Sequence, residues 1–121
     1  MSVPKTIVID GTEYIQKNSV SVVDTHGKPY VIVRANQAGV FAGYLESIDD
    51  NNTAILKQAR RIHYWEGAAS LSQLAQSGTS KPLSCRFPEE VTRIRISNVI
   101  EVLDVTAKAK ESIASVKIWQ A

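Results

Sequence analysis

Apolar and polar positions divide this chain into short extended segments, with helical spacing appearing only twice and late. TIVIDGTEYI (6–15) sets β-branched residues on either side of Asp10-Gly11, a pair that tolerates positive φ, and predicts a small hairpin. A polar stretch with turn chemistry at His26-Gly27-Lys28-Pro29 then leads into the main sheet. YVIVR (30–34) is almost continuously apolar, as a strand covered on both faces would be, and AGVFAGYLESI (38–48) should pair with it as a hairpin. After the turn at 49–52, TAILKQARRIHYW (53–65) reads as one long strand. Ile55, Lys57, Ala59, Arg61, His63 and Trp65 share one face of it, and Leu56, Gln58, Arg60, Ile62 and Tyr64 the other.

Ser70 begins an S-x-x-Q capping box, and Leu71, Leu74 and Ala75 follow at helical spacing before Gly78, which predicts a two-turn helix. Residues 79–88 hold two prolines and no periodicity, and read as a loop carrying Cys85, Arg86 and Phe87. Val91 to Val105 returns to strand character with a turn or bulge at Ser97-Asn98. Thr106 caps a second helix to about Ser115, and KIW (117–119) supplies a last short strand. These elements predict an α+β fold, a small mostly antiparallel sheet with two short helices, one towards the middle and one near the C-terminus. The 121 residues form one domain, with 1–29 as N-terminal hairpin and linker and 30–119 as the main body.

Composition narrows the chemistry. A single cysteine excludes an intramolecular disulfide and fits a reducing, cytoplasmic setting. No apolar run approaches the ~20 residues of a membrane span, and the first residues lack a signal peptide's apolar stretch. His26, His63 and Cys85 make no paired ligand motif, so no metal is expected. No nucleophile elbow, phosphate-binding loop or dinucleotide fingerprint is present, so neither catalytic residues nor a cofactor are expected. A lone cysteine such as Cys85 is far more often buried than catalytic.

The net charge of +2 is too small for a long nucleic acid, but its distribution is uneven. Residues 57–95 carry seven basic and three acidic side chains, and five of the six arginines lie there. Arginine forks suit phosphates and stack on flat rings. ARRIHYW sets Arg60, Arg61, His63, Tyr64 and Trp65 within six positions, and CRF sets Arg86 beside Phe87. Interleaved cations and rings are what a phosphorylated base requires. The competing reading is that Tyr64 and Trp65, on a strand of a small domain, are core or interface residues and the arginines lie over apolar surface.

YVIVRxxxAGVFAGYLE, AILKQARRIHYWEGAASLSQLAQSG, KPLSCRFP and VIEVLDVT before a terminal IW together resemble a family of small phage and prophage proteins. Within it, the chain is similar to the first-described Thoeris anti-defence proteins, the sponges that sequester cyclic ADP-ribose signals. The resemblance spans about residues 30–119; the first 29 residues fall outside it, and His63 stands where an aromatic or aliphatic residue is expected. It implies a non-enzymatic homo-oligomer, a dimer or larger, that binds a cyclic ADP-ribose isomer in the host cytoplasm. The resemblance further implies binding of cyclic oligonucleotides at a separate site. The expected ligand residues are Arg34, Arg60, Arg61, Trp65, Arg86, Phe87 and Asn98. The alternative is a phage structural or interaction protein whose arginine-aromatic strand is an oligomer interface.

Overall fold

A computed structural model describes residues 22–120; the predicted hairpin at 6–15 lies outside the described residues. The elements are β1 (Tyr30–Ala35), β2 (Gly39–Ile48), β3 (Ala54–Arg61), α1 (Leu71–Ser77), a 3₁₀ turn (Pro82–Ser84), β4 (Val91–Ile96), β5 (Val99–Asp104) and α2 (Ala107–Ser115). All strand pairs are antiparallel, in the order β4-β3-β2-β1-β5, so the fold is α+β as the pattern predicts. No helix among the described residues is long and apolar enough to cross a membrane.

Strands β4 and β5 occupy opposite edges of the sheet, yet only Ser97 and Asn98 join them. Two residues cannot span a flat five-stranded sheet, so the sheet curls until its edges meet at that corner. Asn98 takes positive φ (59°) there; its carbonyl accepts from the Asn36 N–H, and the Asn52 carbonyl accepts from the Val99 N–H, both at 2.9 Å. The concave side encloses Val31, Val33, Ala35, Phe41, Ala54, Leu56, Ala59, Ile96 and Val99. The convex side presents Tyr30, Ile32, Ala42 and Ile62 to Leu74 and Ala75 of α1 and Ala109 and Ile113 of α2. Interior strand β1 is therefore covered on both faces, which explains its unbroken apolar run. Full burial of each such aliphatic side chain contributes about 1.5–3 kcal/mol.

Both caps form as their residues dictate. The Ser70 hydroxyl accepts from the Gln73 N–H at 3.1 Å, and that of Thr106 from the Ala109 N–H at 3.1 Å. Gly78 closes α1 at φ 77°, packed so tightly on Ser112 that a Cβ would collide with its side chain.

Strand β3 departs from the even alternation expected over residues 53–65. Tyr44 pairs with Lys57 and Ala42 with Arg60, so Gln58 and Ala59 together oppose Gly43. This bulge puts Gln58 at φ 51° and reverses the phase, so that Leu56 and Ala59 both face the concave core while Arg60 and Ile62 turn to the convex side. Gly43 is required opposite, because a Cβ there would come within 2.9 Å of the Lys57 carbonyl oxygen.

Candidate functional site

Beyond β3 the chain leaves the main sheet and builds a small three-stranded patch at its margin. Tyr64 bridges Arg86 antiparallel: the Arg86 N–H donates to the Tyr64 carbonyl at 2.7 Å, and the Tyr64 N–H to the Arg86 carbonyl at 3.2 Å. Phe87 in turn bridges Ile118 in parallel, with the Trp119 N–H donating to the Phe87 carbonyl at 3.0 Å. Neighbours on an extended segment point to opposite sides. Arg86 therefore stands in solvent while Cys85 and Phe87 point inward, Phe87 with no exposed surface.

The outward residues converge on one pocket. The Arg86 guanidinium packs over Tyr64 at 5.6 Å and over Trp119 at 5.7 Å, and His63 stacks on Trp119 with centroids 5.0 Å apart and planes 9° from parallel. Tyr64 is 43% and Trp119 44% exposed, so both rings offer apolar surface to solvent. With Glu66, Leu83, Ser84 and Cys85 they line an open pocket of about 430 Å³. The Tyr64 hydroxyl donates to Glu66 Oε2 at 2.7 Å, and this bond to a carboxylate pushes the phenol's pKa above its ordinary value. Among the described residues Arg86 forms no ion pair.

The seven residues expected from the sequence do not share one site. Arg60 is buried, and its guanidinium donates to the carbonyls of Phe87 (2.7 Å), Val116 (3.0 Å), Ile113 (3.1 Å) and Pro88 (3.2 Å), so it ties chain segments together and has no fork left for a phosphate. Phe87 is a core residue beneath it, which corrects its expected stacking role; the bridge to Ile118 supplies the periodicity that a loop reading lacks. Arg61 lies across the ring of Phe41 at 4.4 Å and donates to the Ala38 carbonyl at 2.8 Å. Arg34 pairs with Glu101 at 2.9 Å, and Asn98 forms the β4–β5 corner. Trp65 packs half-buried against the convex core, its Nε1 donating to the Ala68 carbonyl at 3.3 Å. Of the seven, Arg86 alone lines the aromatic pocket.

Tyr64 and His63 already belong to the cation-ring stretch ARRIHYW, whereas Glu66 and Trp119 become visible as site residues only through the fold. Among the described residues, no group of His, Cys, Asp and Glu is placed to hold a metal ion. Residues 28–113 match the profile of a family described as a domain of unknown function. No curated protein and no solved structure matches the chain.

Proposed function

The chain belongs to the DUF6948 family, and we propose that it is a binding protein that sequesters a cyclic nucleotide signal of the cyclic ADP-ribose type without altering it. The observation that carries this reading is the Arg86 guanidinium, free of protein counter-ions among the described residues and flanked by the exposed rings of Tyr64 and Trp119. A guanidinium holds a phosphate by charge-assisted hydrogen bonds, and a flat ring stacks on a base for about 1–3 kcal/mol per base. The pocket volume of about 430 Å³ falls in the range of small-ligand sites. The resemblance to anti-defence sponges supports the same ligand class and a role in the cytoplasm of an infected host.

The test is sequestration itself. Incubation of the protein with cyclic ADP-ribose should protect the signal from an added hydrolase, and denaturation should return the intact molecule. Recovery of a changed product would make the protein an enzyme and overturn the reading.

A second reading has its own support. Leu83 is 89% and Ile118 52% exposed at or beside the pocket, and exposed apolar surface of this kind marks interfaces. On that reading the patch joins copies of the chain, and nucleotides produce no thermal shift. The two are compatible if the rim meets a partner while the pocket stays open; light scattering on the native protein and on Leu83→Glu measures the oligomer directly.

A further inference from the structure

Glu66 and Arg86 line the same pocket but form no ion pair with each other among the described residues. The carboxylate is held by Tyr64 instead, whose hydroxyl donates to Oε2 at 2.7 Å, while the Glu66 main chain is fixed separately, its carbonyl accepting from the Thr79 hydroxyl and from the Cys85 thiol, the latter at 3.5 Å. Oε1 has no partner among the described residues. The pocket thus presents a cation and an anion separately. A carboxylate repels phosphate and accepts hydrogen bonds, so it needs a donor from whatever ligand binds.

In a nucleotide the sugar joins the base to the phosphate. If the rings take the base and Arg86 the phosphate, the remaining polar contact falls on the sugar hydroxyls. Resting on the nucleotide reading above, we propose that Glu66 is a specificity-determining residue that accepts hydrogen bonds from the ribose cis-diol, so that the pocket takes ribonucleotides in preference to their 2′-deoxy counterparts. Sites built to bond a substrate hydroxyl reject the analogue that lacks it, because their own polar group is then left unpaired.

The experiment compares the affinities of AMP and 2′-deoxy-AMP for the native protein, Glu66→Gln and Glu66→Ala, with melting temperature measured on each. The native protein should favour AMP by about tenfold or more, since a hydrogen bond to a charged group is at stake. Glu66→Ala should bring the ratio to about one, and Glu66→Gln, which keeps an acceptor without the charge, should fall between. A purely structural role for Glu66 would move both affinities together and leave their ratio unchanged. Equal affinities in the native protein, or a preference that survives in Glu66→Ala, would overturn the assignment while leaving the pocket as a nucleotide site. Failure of both probes to bind the native protein would overturn the site and the assignment together.

Discussion

Arg60 and Phe87 hold each other: the guanidinium carbon lies 5.4 Å from the ring centroid, and Nη2 donates to the Phe87 carbonyl at 2.7 Å. The same group reaches Ile113 and Val116 at the C-terminal end of α2, where a cation also meets the negative end of the helix dipole. Burial lowers the Arg60 pKa from its ordinary value, yet the arginine range leaves the group charged. Arg60→Met should therefore remove about 3 kcal/mol or more of stability, because several buried carbonyls lose their donor at once. Arg60→Lys should restore only part of it, as an ammonium cannot fan across four carbonyls. Urea denaturation measures both, and a loss under about 1 kcal/mol for Arg60→Met would refute the staple.

Phe87 is the largest fully buried side chain among the described residues. Phe87→Ala should cost about 3–5 kcal/mol, and Phe87→Trp about 1–3 kcal/mol through overpacking. A stable Phe87→Ala protein with reduced nucleotide affinity would instead return Phe87 to the ligand site.

The sequence exposes the strands whose apolar pattern is local and hides whatever depends on partners distant along the chain. The capping residues Ser70 and Thr106, Gly78 and the double burial of β1 are all read from neighbouring residues and agree with the fold. Three features are not. The Gln58 bulge shifts the phase of β3 because Gly43 sits opposite, and Gly43 is fifteen positions away. Arg60 and Phe87 look like ligand residues because cations and rings do interleave there, but they interleave with each other. Trp119 becomes part of the pocket only when residues 117–119 dock beside Phe87, a pairing that residue spacing does not encode.

Arg86 and Arg61 provide a contrast within one cationic set. Arg61 is committed to Phe41 and the Ala38 carbonyl, whereas Arg86 lines the aromatic pocket. Arg86→Ala should weaken cyclic ADP-ribose binding more than tenfold with an unchanged melting temperature, and Arg61→Ala should alter affinity less than twofold. Calorimetric titration checks both; the reverse order would move the site to the Phe41 side of the sheet.

Gln58 adopts φ 51° at an exposed bulge, a conformation that costs a residue with a Cβ about 1–2 kcal/mol. Gln58→Gly should relieve that strain. Offset by the greater unfolded-state entropy of glycine, the net gain should be about 0.5–1 kcal/mol, read as a raised urea midpoint with unchanged slope. A lowered midpoint would mean that the Gln58 side chain itself stabilises the bulge.

Tyr30 links the convex core to alkaline stability. Its side chain is 6% exposed, meets Tyr44 edge to face at 5.0 Å, and has the Lys110 ammonium 5.3 Å from its ring centroid. Burial pushes its pKa up to about 12, against an ordinary value near 10; the nearby Arg60 charge opposes that rise. Between these two values the folded protein retains a proton that the unfolded chain has lost, so stability must fall as pH rises through the interval. The contribution is fully present below about pH 10, is reduced by about 1.4 kcal/mol at pH 11, and is lost by about 3 kcal/mol above pH 12. Tyr30→Phe carries no titrating group and should lack this component. The unfolding free energies of the two proteins should run in parallel from pH 7 to 9, and that of the native protein should then fall relative to Tyr30→Phe by about 1.4 kcal/mol as the pH reaches 11, with lysine and other tyrosine titrations common to both. Parallel curves throughout would show that the Tyr30 hydroxyl reaches solvent in the folded state.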